Sequence, residues 1–333
     1  MAWDRGKRLD GDRYEIEAVL GCGRFAITYK AWDLKRGRQP VAIKTLNDET
    51  RALAARDLQK YRKICQTVRD EAMQLKGCDH PNVVTVERLF EEEEVPWVVM
   101  EFVAGEDLSQ CGHGVSVAEA RIFVQQIGAA LDHIHSKGIL HRDVRPGNIR
   151  LQLREGKTTA VLMNFGSALA FSDDLSCSQS ASHAGGFAAP EAYTKRGERG
   201  AWTDLYALGA VLYWLVTGHE PTKALDRRLA TEPKKAELLF PSDLDRSVVR
   251  LIEWAMRLKG SDRPKSAALW LGQARNHNIR ERWMNWSSLQ KVGAVIGAMI
   301  AAAGGIGGAM QGWESWFGSP VKNTPPVEQV QGK

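Results

Sequence analysis

The sequence predicts an α+β fold of two lobes, a small strand-rich lobe over residues 14–103 and a larger helical lobe over 104–275, followed by one membrane-spanning helix at 292–310. Three observations carry this. Residues 14 to 46 alternate apolar and polar positions around glycines, as in "YEIEAVLGCGRF" and "VAIKTL", which is the period of half-buried strands. From Val117 onward the apolar spacing becomes threes and fours, as in "AEARIFVQQIGAALDHIHSKG". Residues 292 to 310, "VGAVIGAMIAAAGGIGGAM", hold 19 positions without a charge.

Before the first strand, residues 1–13 read as an N-terminal tail. After the "VAIKTL" strand, Leu58, Tyr61, Ile64, Cys65, Val68, Ala72 and Leu75 recur at helical spacing, so residues 51–76 form one long helix or two. Strands resume at "VVTVERLF" and "VPWVVMEFV", with the acidic run Glu91 to Glu94 as the turn between them. The later helices are "TDLYALGAVLYWLVTG", "DRSVVRLIEWAMRL" and "SAALWLGQARN".

Among 333 residues, 45 cationic and 40 anionic side chains are interspersed, with a net charge of +5. A nucleic-acid surface is therefore not expected, because no basic stripe carries interleaved aromatics. The 5 cysteines are odd in number, scattered and lack CxxC spacing, which argues against a disulfide framework or a zinc site. The N-terminus has no apolar run of the kind a signal peptide needs.

As a helix, residues 292–310 would span ~28 Å, close to the ~30 Å of a bilayer core. Gly293, Gly297, Ala301, Gly305 and Ala309 fall every four residues, a small-residue face for close helix packing, and Trp283, Trp286, Trp313 and Trp316 bracket the run. A flexible Gly/Ala linker and a buried hairpin are the alternatives. The basic linker 276–291 precedes the run and a short tail, 311–333, follows it. The excess of Arg and Lys before the run keeps the larger domain on the cytoplasmic side of a single-pass membrane protein.

The chemistry sits in an ordered series. "GCGRFA" at 21–26 is a glycine-rich turn between strands, "VAIK" ends in Lys44, and the following helix carries Glu71. "HRDVRPGN" sets Asp143 and Asn148 five apart, and "NFG", "APE", "TDLYALG" and "DRP" follow in order. Each has a bland reading as a turn, a strand end or a polar loop; the order of the whole is what is specific.

This series resembles the eukaryotic-type protein kinase family, and "GRFAITYKAWD" is similar to its bacterial serine/threonine members. The resemblance covers residues 14–275 and implies ATP and Mg²⁺ or Mn²⁺ as cofactors and a protein as substrate or binding partner. It places Gly21, Cys22, Gly23, Ala26, Thr28, Ala42 and Lys44 around the nucleotide. Met100 corresponds to the gatekeeper, the backbones of Glu101 and Val103 to the adenine contacts, and Asp107 to the ribose contact. Lys44 would be held by Glu71 in an ion pair. Asp143 would orient the substrate hydroxyl and take its proton, with Arg145 as a cation beside the transferring phosphate. Asn148 and Asn164 would be the metal ligands, and Glu191 and Arg263 a structural ion pair. With the uncharged run, the resemblance implies a kinase anchored in the bacterial inner membrane.

Two departures weaken that reading. Asn164 stands where the family has the Asp of "DFG", so the metal would be weakly held. Ala184 stands where serine/threonine members have a Thr. The expected function is accordingly a serine/threonine kinase with weakened or atypical metal dependence. An ATP-binding pseudokinase that signals by conformation, and a kinase-controlled protein that forms homo-oligomers in the membrane through its small-residue face, remain as alternatives.

Overall fold

Alternation builds the smaller lobe. In strand β3 (Ala26–Asp33) every second residue, Ile27, Tyr29, Ala31 and Asp33, is buried on one face, as a period of two requires. Strand β4 (Gln39–Leu46) pairs with it antiparallel and places Val41 and Ile43 in the same cluster. Ala42 and Lys44 thereby face the other side. This computed structural model describes residues 3–272 except 24, 112–114, 166–184, 195–196 and 230–237.

Strands β1 (Arg8–Leu9), β2 (Tyr14–Cys22), β5 (Val86–Glu92) and β6 (Val95–Glu101) complete an antiparallel sheet in the order β1-β2-β3-β4-β6-β5. Part of the segment expected as a tail before residue 14 thus joins the sheet. Leu9 is 1% exposed, and the Trp3 ring stacks on Trp97 at 4.3 Å, which gives this stretch apolar area to bury. The acidic turn is narrower than expected: Glu93 and Glu94 take φ of 52° and 62°, a two-residue hairpin loop, while Glu91 and Glu92 stay in β5.

The helical stretch 51–76 resolves into two elements, α1 (Asp48–Arg56) and α2 (Leu58–Lys76). Asp57 breaks them apart and caps α2, its carboxylate accepting from Lys60 N at 3.0 Å. Tyr61, Ile64, Cys65, Ala72 and Leu75 form the buried stripe of α2.

The larger lobe contains α3 (Val117–Ser136), α4 (Ala201–Thr217), α5 (Ala224–Leu229) and α6 (Arg246–Ala255). Ser116 and Glu119 form a capping box that fixes the start of α3. A three-stranded sheet of β7 (Glu106–Asp107), β8 (Ile149–Arg154) and β9 (Lys157–Leu162), which the sequence pattern did not predict, lies between α3 and α4 in the chain apart from β7. One apolar cluster runs from Ala42 and Met100 through Leu131 and Leu162 to Leu208 and Ile252, so the two lobes share a core. Backbone bonds reinforce the junction: Val84 N donates to Leu162 O at 3.1 Å, and Leu162 N to Asn82 O at 2.9 Å.

The chain divides into two units, Met1–Arg275 and Asn276–Lys333. The second unit lies outside the described residues, and with it the expected linker 276–291, spanning helix 292–310 and tail 311–333. Among the described residues no helix is long and apolar enough to cross a membrane.

Candidate active site

The loop "HRDVRPGN" is positioned by one side chain of α4. Asp204, 1% exposed, accepts from His141 N at 2.9 Å and from Arg142 N at 2.7 Å, and its Oδ2 lies 2.8 Å from His135 Nε2. Burial alone would push this carboxyl up; the hydrogen bond and charge of His135, His141 and the Arg142 amide hold it below the ordinary Asp range. The motif series includes "TDLYALG" but assigns Asp204 no role. The signal was a lone carboxylate inside an otherwise apolar helix.

From that anchor the loop projects Asp143 and Asn148. Asn148 Nδ2 donates to Asp143 Oδ2 at 2.7 Å and to the Asp143 carbonyl at 2.8 Å, so the spacing of five closes a ring between the two. Arg145 Nε lies 3.6 Å from Asp143 Oδ1. Burial pushes the Asp143 carboxyl above the ordinary range, against the opposing pull of Arg145, His141, Asn148 and Lys44. A carboxylate so shifted is a better proton acceptor.

On the other side of the cleft the expected Lys44–Glu71 ion pair is not made among the described residues. Lys44 Nζ donates instead to the Phe165 carbonyl at 2.8 Å. Burial lowers the Lys44 pKa and raises that of Glu71, and each feels the other's charge without contact. The physical reason for the exchange is local: Phe165 is 7% exposed and packs edge-on against His141 at 4.6 Å, which brings its carbonyl within reach of the ammonium.

Asn164 takes φ of 57°, a left-handed conformation that Asn adopts more readily than most other residues with a side chain. Its Nδ2 donates to Asn148 Oδ1 at 3.0 Å. The two expected metal ligands are therefore brought together, but as partners of each other. Both are neutral amides, and one of their two oxygens already accepts a hydrogen bond. Mg²⁺ prefers one or two carboxylates beside the phosphates, so this donor set fits a divalent cation poorly.

Between the lobes lies a cavity of about 770 Å³. Gly21, Cys22, Gly23, Ala26, Thr28, Ala42, Lys44, Glu71, Met100, Val103, Asp107, Asp143, Arg145, Asn148 and Asn164 all line it. Apolar walls at Leu20, Ala42, Val84, Met100 and Met163 sit beside these polar groups, a combination that fits a purine nucleotide with its phosphates toward Lys44. A side chain on Gly21 would point into open space, so the glycine loop leaves room above the cavity.

Of the expected nucleotide contacts only Glu101 does not line the cavity. It follows Met100 on β6 and faces the other way, its carboxylate accepting from Thr85 N at 3.0 Å and from Arg154 at 3.1 Å. The Asp107 carboxylate is engaged by Arg150 Nε at 3.2 Å, and Asn47 Nδ2 holds the glycine loop through the Gly23 carbonyl at 2.8 Å. Arg150 and Asn47 were not predicted; their partners are distant in sequence and leave no periodic trace.

Beyond the catalytic loop, Arg263 grips Glu191 with two bonds of 2.7 and 2.9 Å, as the sequence implied. Ala184, Gly166, the serines between them and Cys177 lie outside the described residues.

Comparison with known proteins identifies the family of this fold. Residues 14–277 match the family described as "Protein kinase domain". PrkC of Bacillus subtilis, a serine/threonine-protein kinase, is 34% identical over 220 residues, 65% of this chain and 32% of that protein. PknB of Mycobacterium leprae, also a serine/threonine-protein kinase, is 36% identical over 221 residues, 63% of this chain and 33% of that protein. The matched region thus spans about a third of the length of such relatives. Among solved structures, the apo form of PpkA-294 has a TM-score of 0.64 at 26% identity, covering 82% of this chain and 99% of that one. The chain belongs to the eukaryotic-type protein kinase family, with bacterial serine/threonine kinases among its relatives.

Proposed function

We propose that the protein binds ATP in this cavity and transfers its γ-phosphoryl group to serine or threonine hydroxyls of a protein. The observation that carries the reading is the Asp143–Asn148 ring, which aims a carboxylate of raised pKa into a nucleotide-sized cleft. In the reaction Asp143 takes the proton of the substrate hydroxyl, the hydroxyl oxygen bonds to the γ-phosphorus, and the bond to the bridging oxygen breaks to leave ADP. Lys44 and Arg145 are the cations positioned to face the phosphates. Asn148 and Asn164, in the metal-ligand positions, would hold a divalent cation only weakly, because both are neutral amides already bonded to each other.

Metal dependence is weakened by Asn164. Unit charges ~4 Å apart at an effective dielectric of ~20 interact by ~4 kcal/mol, so losing the carboxylate's share lowers the rate by up to ~10³-fold. The same neutrality, with Lys44 bound to a backbone carbonyl, supports a second reading, an ATP-binding pseudokinase. In either case residues 292–310 would tether the kinase domain to the cytoplasmic face of the membrane, a reading supported by the uncharged run and its Trp and Arg flanks.

The test is ³²P transfer from ATP by the full chain, with Mg²⁺ and then Mn²⁺, to itself and to an acceptor protein. Label that falls ~10³-fold in Asp143→Asn is the expected result, since a general base contributes about that much. No label from the wild type, but label from Asn164→Asp, would select the pseudokinase reading.

A further inference from the structure

Residue 164 decides what kind of bridge closes the catalytic loop against the segment after β9. A carboxylate there would turn only acceptors toward Asn148 Oδ1, and two facing oxygens repel unless a cation or proton lies between them. Asn164 supplies an N–H instead, 3.0 Å from Asn148 Oδ1, and Asn148 passes the chain on through Nδ2 to Asp143 Oδ2 at 2.7 Å. Asn148 is 4% exposed, so both ends of its amide are satisfied by protein at a site withdrawn from water.

We propose that Asn164 is a positioning residue that takes over the bridging role of a divalent cation, so that the cleft binds a nucleoside triphosphate with nearly the same affinity whether or not such a cation is present. This rests on the reading of the cavity as a nucleotide site. The hydrogen-bonded chain from Asn164 through Asn148 to Asp143 holds the loop before any ligand arrives. The neutral amide also leaves the γ-phosphate facing no fixed negative charge from residue 164. Lys44 and Arg145 then meet the phosphate charge directly, and no metal is needed to screen a carboxylate from it.

The experiment is calorimetric titration of ATP into the full chain in EDTA and in Mg²⁺, for the wild type, Asn164→Asp and Asn164→Gly. Glycine adopts φ of 57° without strain, so the last variant removes the side-chain amide without forcing the backbone out of this conformation. The wild-type Kd is expected to differ by less than about 3-fold between the two buffers, and Asn164→Asp to bind about 10-fold or more weakly in EDTA than in Mg²⁺. Asn164→Gly should weaken metal-free binding by about 3-fold or more. Wild-type affinity that rises about 10-fold with Mg²⁺ would overturn the bridging role and leave the nucleotide reading intact. Metal-free affinity unchanged in Asn164→Gly would overturn it too. ATP bound by none of the proteins in either buffer would overturn the nucleotide reading, and this proposal with it.

Discussion

The floor of the cleft and its roof are held by different chemistry. On the floor two carboxylates are saturated: Asp204 by His135 and the amides of His141 and Arg142, Glu191 by the fork of Arg263 and the Thr203 hydroxyl at 2.9 Å. On the roof Lys44 and Glu71 share a region without sharing a bond, and Asn164 carries no charge at all. A saturated buried carboxylate is a fixed point, because any change of partner strands a charge away from water. A charged pair held apart has no such penalty for exchanging partners. The catalytic loop is therefore built before ligand arrives, while the state of the cleft is decided on the nucleotide side.

Asp204→Asn should break the floor most severely. It removes the charge and turns an N–H₂ toward amides that also donate, so stability should fall by about 3–5 kcal/mol, measured by urea denaturation at neutral pH. Because the Asp204 pKa is held down in the folded protein, its contribution is present above the ordinary Asp range near ~4 and is lost as pH falls through the lower folded value. The gap between wild type and variant should therefore narrow on acidification. A gap that stays constant would show that the carboxylate is not the anchor.

Arg263→Lys comes next, at about 2 kcal/mol. The Arg263 side chain is 0% exposed, and besides gripping Glu191 it donates to the carbonyls of Trp202, Arg257 and Leu258. Lysine keeps the charge but cannot span those five bonds from one planar group. An unchanged denaturation midpoint would mean that charge alone holds Glu191, and the contrast between floor and roof would lose one of its two supports.

The floor and the roof also differed in how far the sequence betrayed them. The strands β2 and β3 were legible because their alternation is local, β4 to β6 as short apolar runs bounded by turn residues, α3 by an apolar stripe repeated over several turns and α4 by an almost unbroken apolar run. Strands β8 and β9 were not, since "IRLQLR" and "KTTAVL" are short and only partly buried. The resemblance singled out Asp143 and Asn148, five residues apart in "HRDVRPGN". It could not say that Lys44 would bond the Phe165 carbonyl, 121 residues on, in preference to Glu71, because that choice depends on where Phe165 packs. Nor could it find the Asn164–Asn148 bond: the missing charge was visible, and the gained donor was visible only once both side chains shared one space.

The smallest effect separates the roof from the floor most sharply. Were Lys44 and Glu71 a closed buried pair, removing one charge would cost about 3–5 kcal/mol, as on the floor. Among the described residues Glu71 has no direct partner, and burial raises its pKa, so its ionised form already costs the fold stability. Glu71→Gln should then leave the nucleotide-free protein within about 1 kcal/mol of wild type. The sign of any gain follows from linkage: a carboxyl with a raised folded pKa favours the folded state while protonated, and that advantage is lost as pH rises through the folded value. The variant should therefore gain on wild type from the ordinary Glu range near ~4.3 upward and run parallel to it above the folded pKa. A loss of 3 kcal/mol or more at neutral pH would mean that the two charges meet in solution, and the roof would then be as firmly closed as the floor.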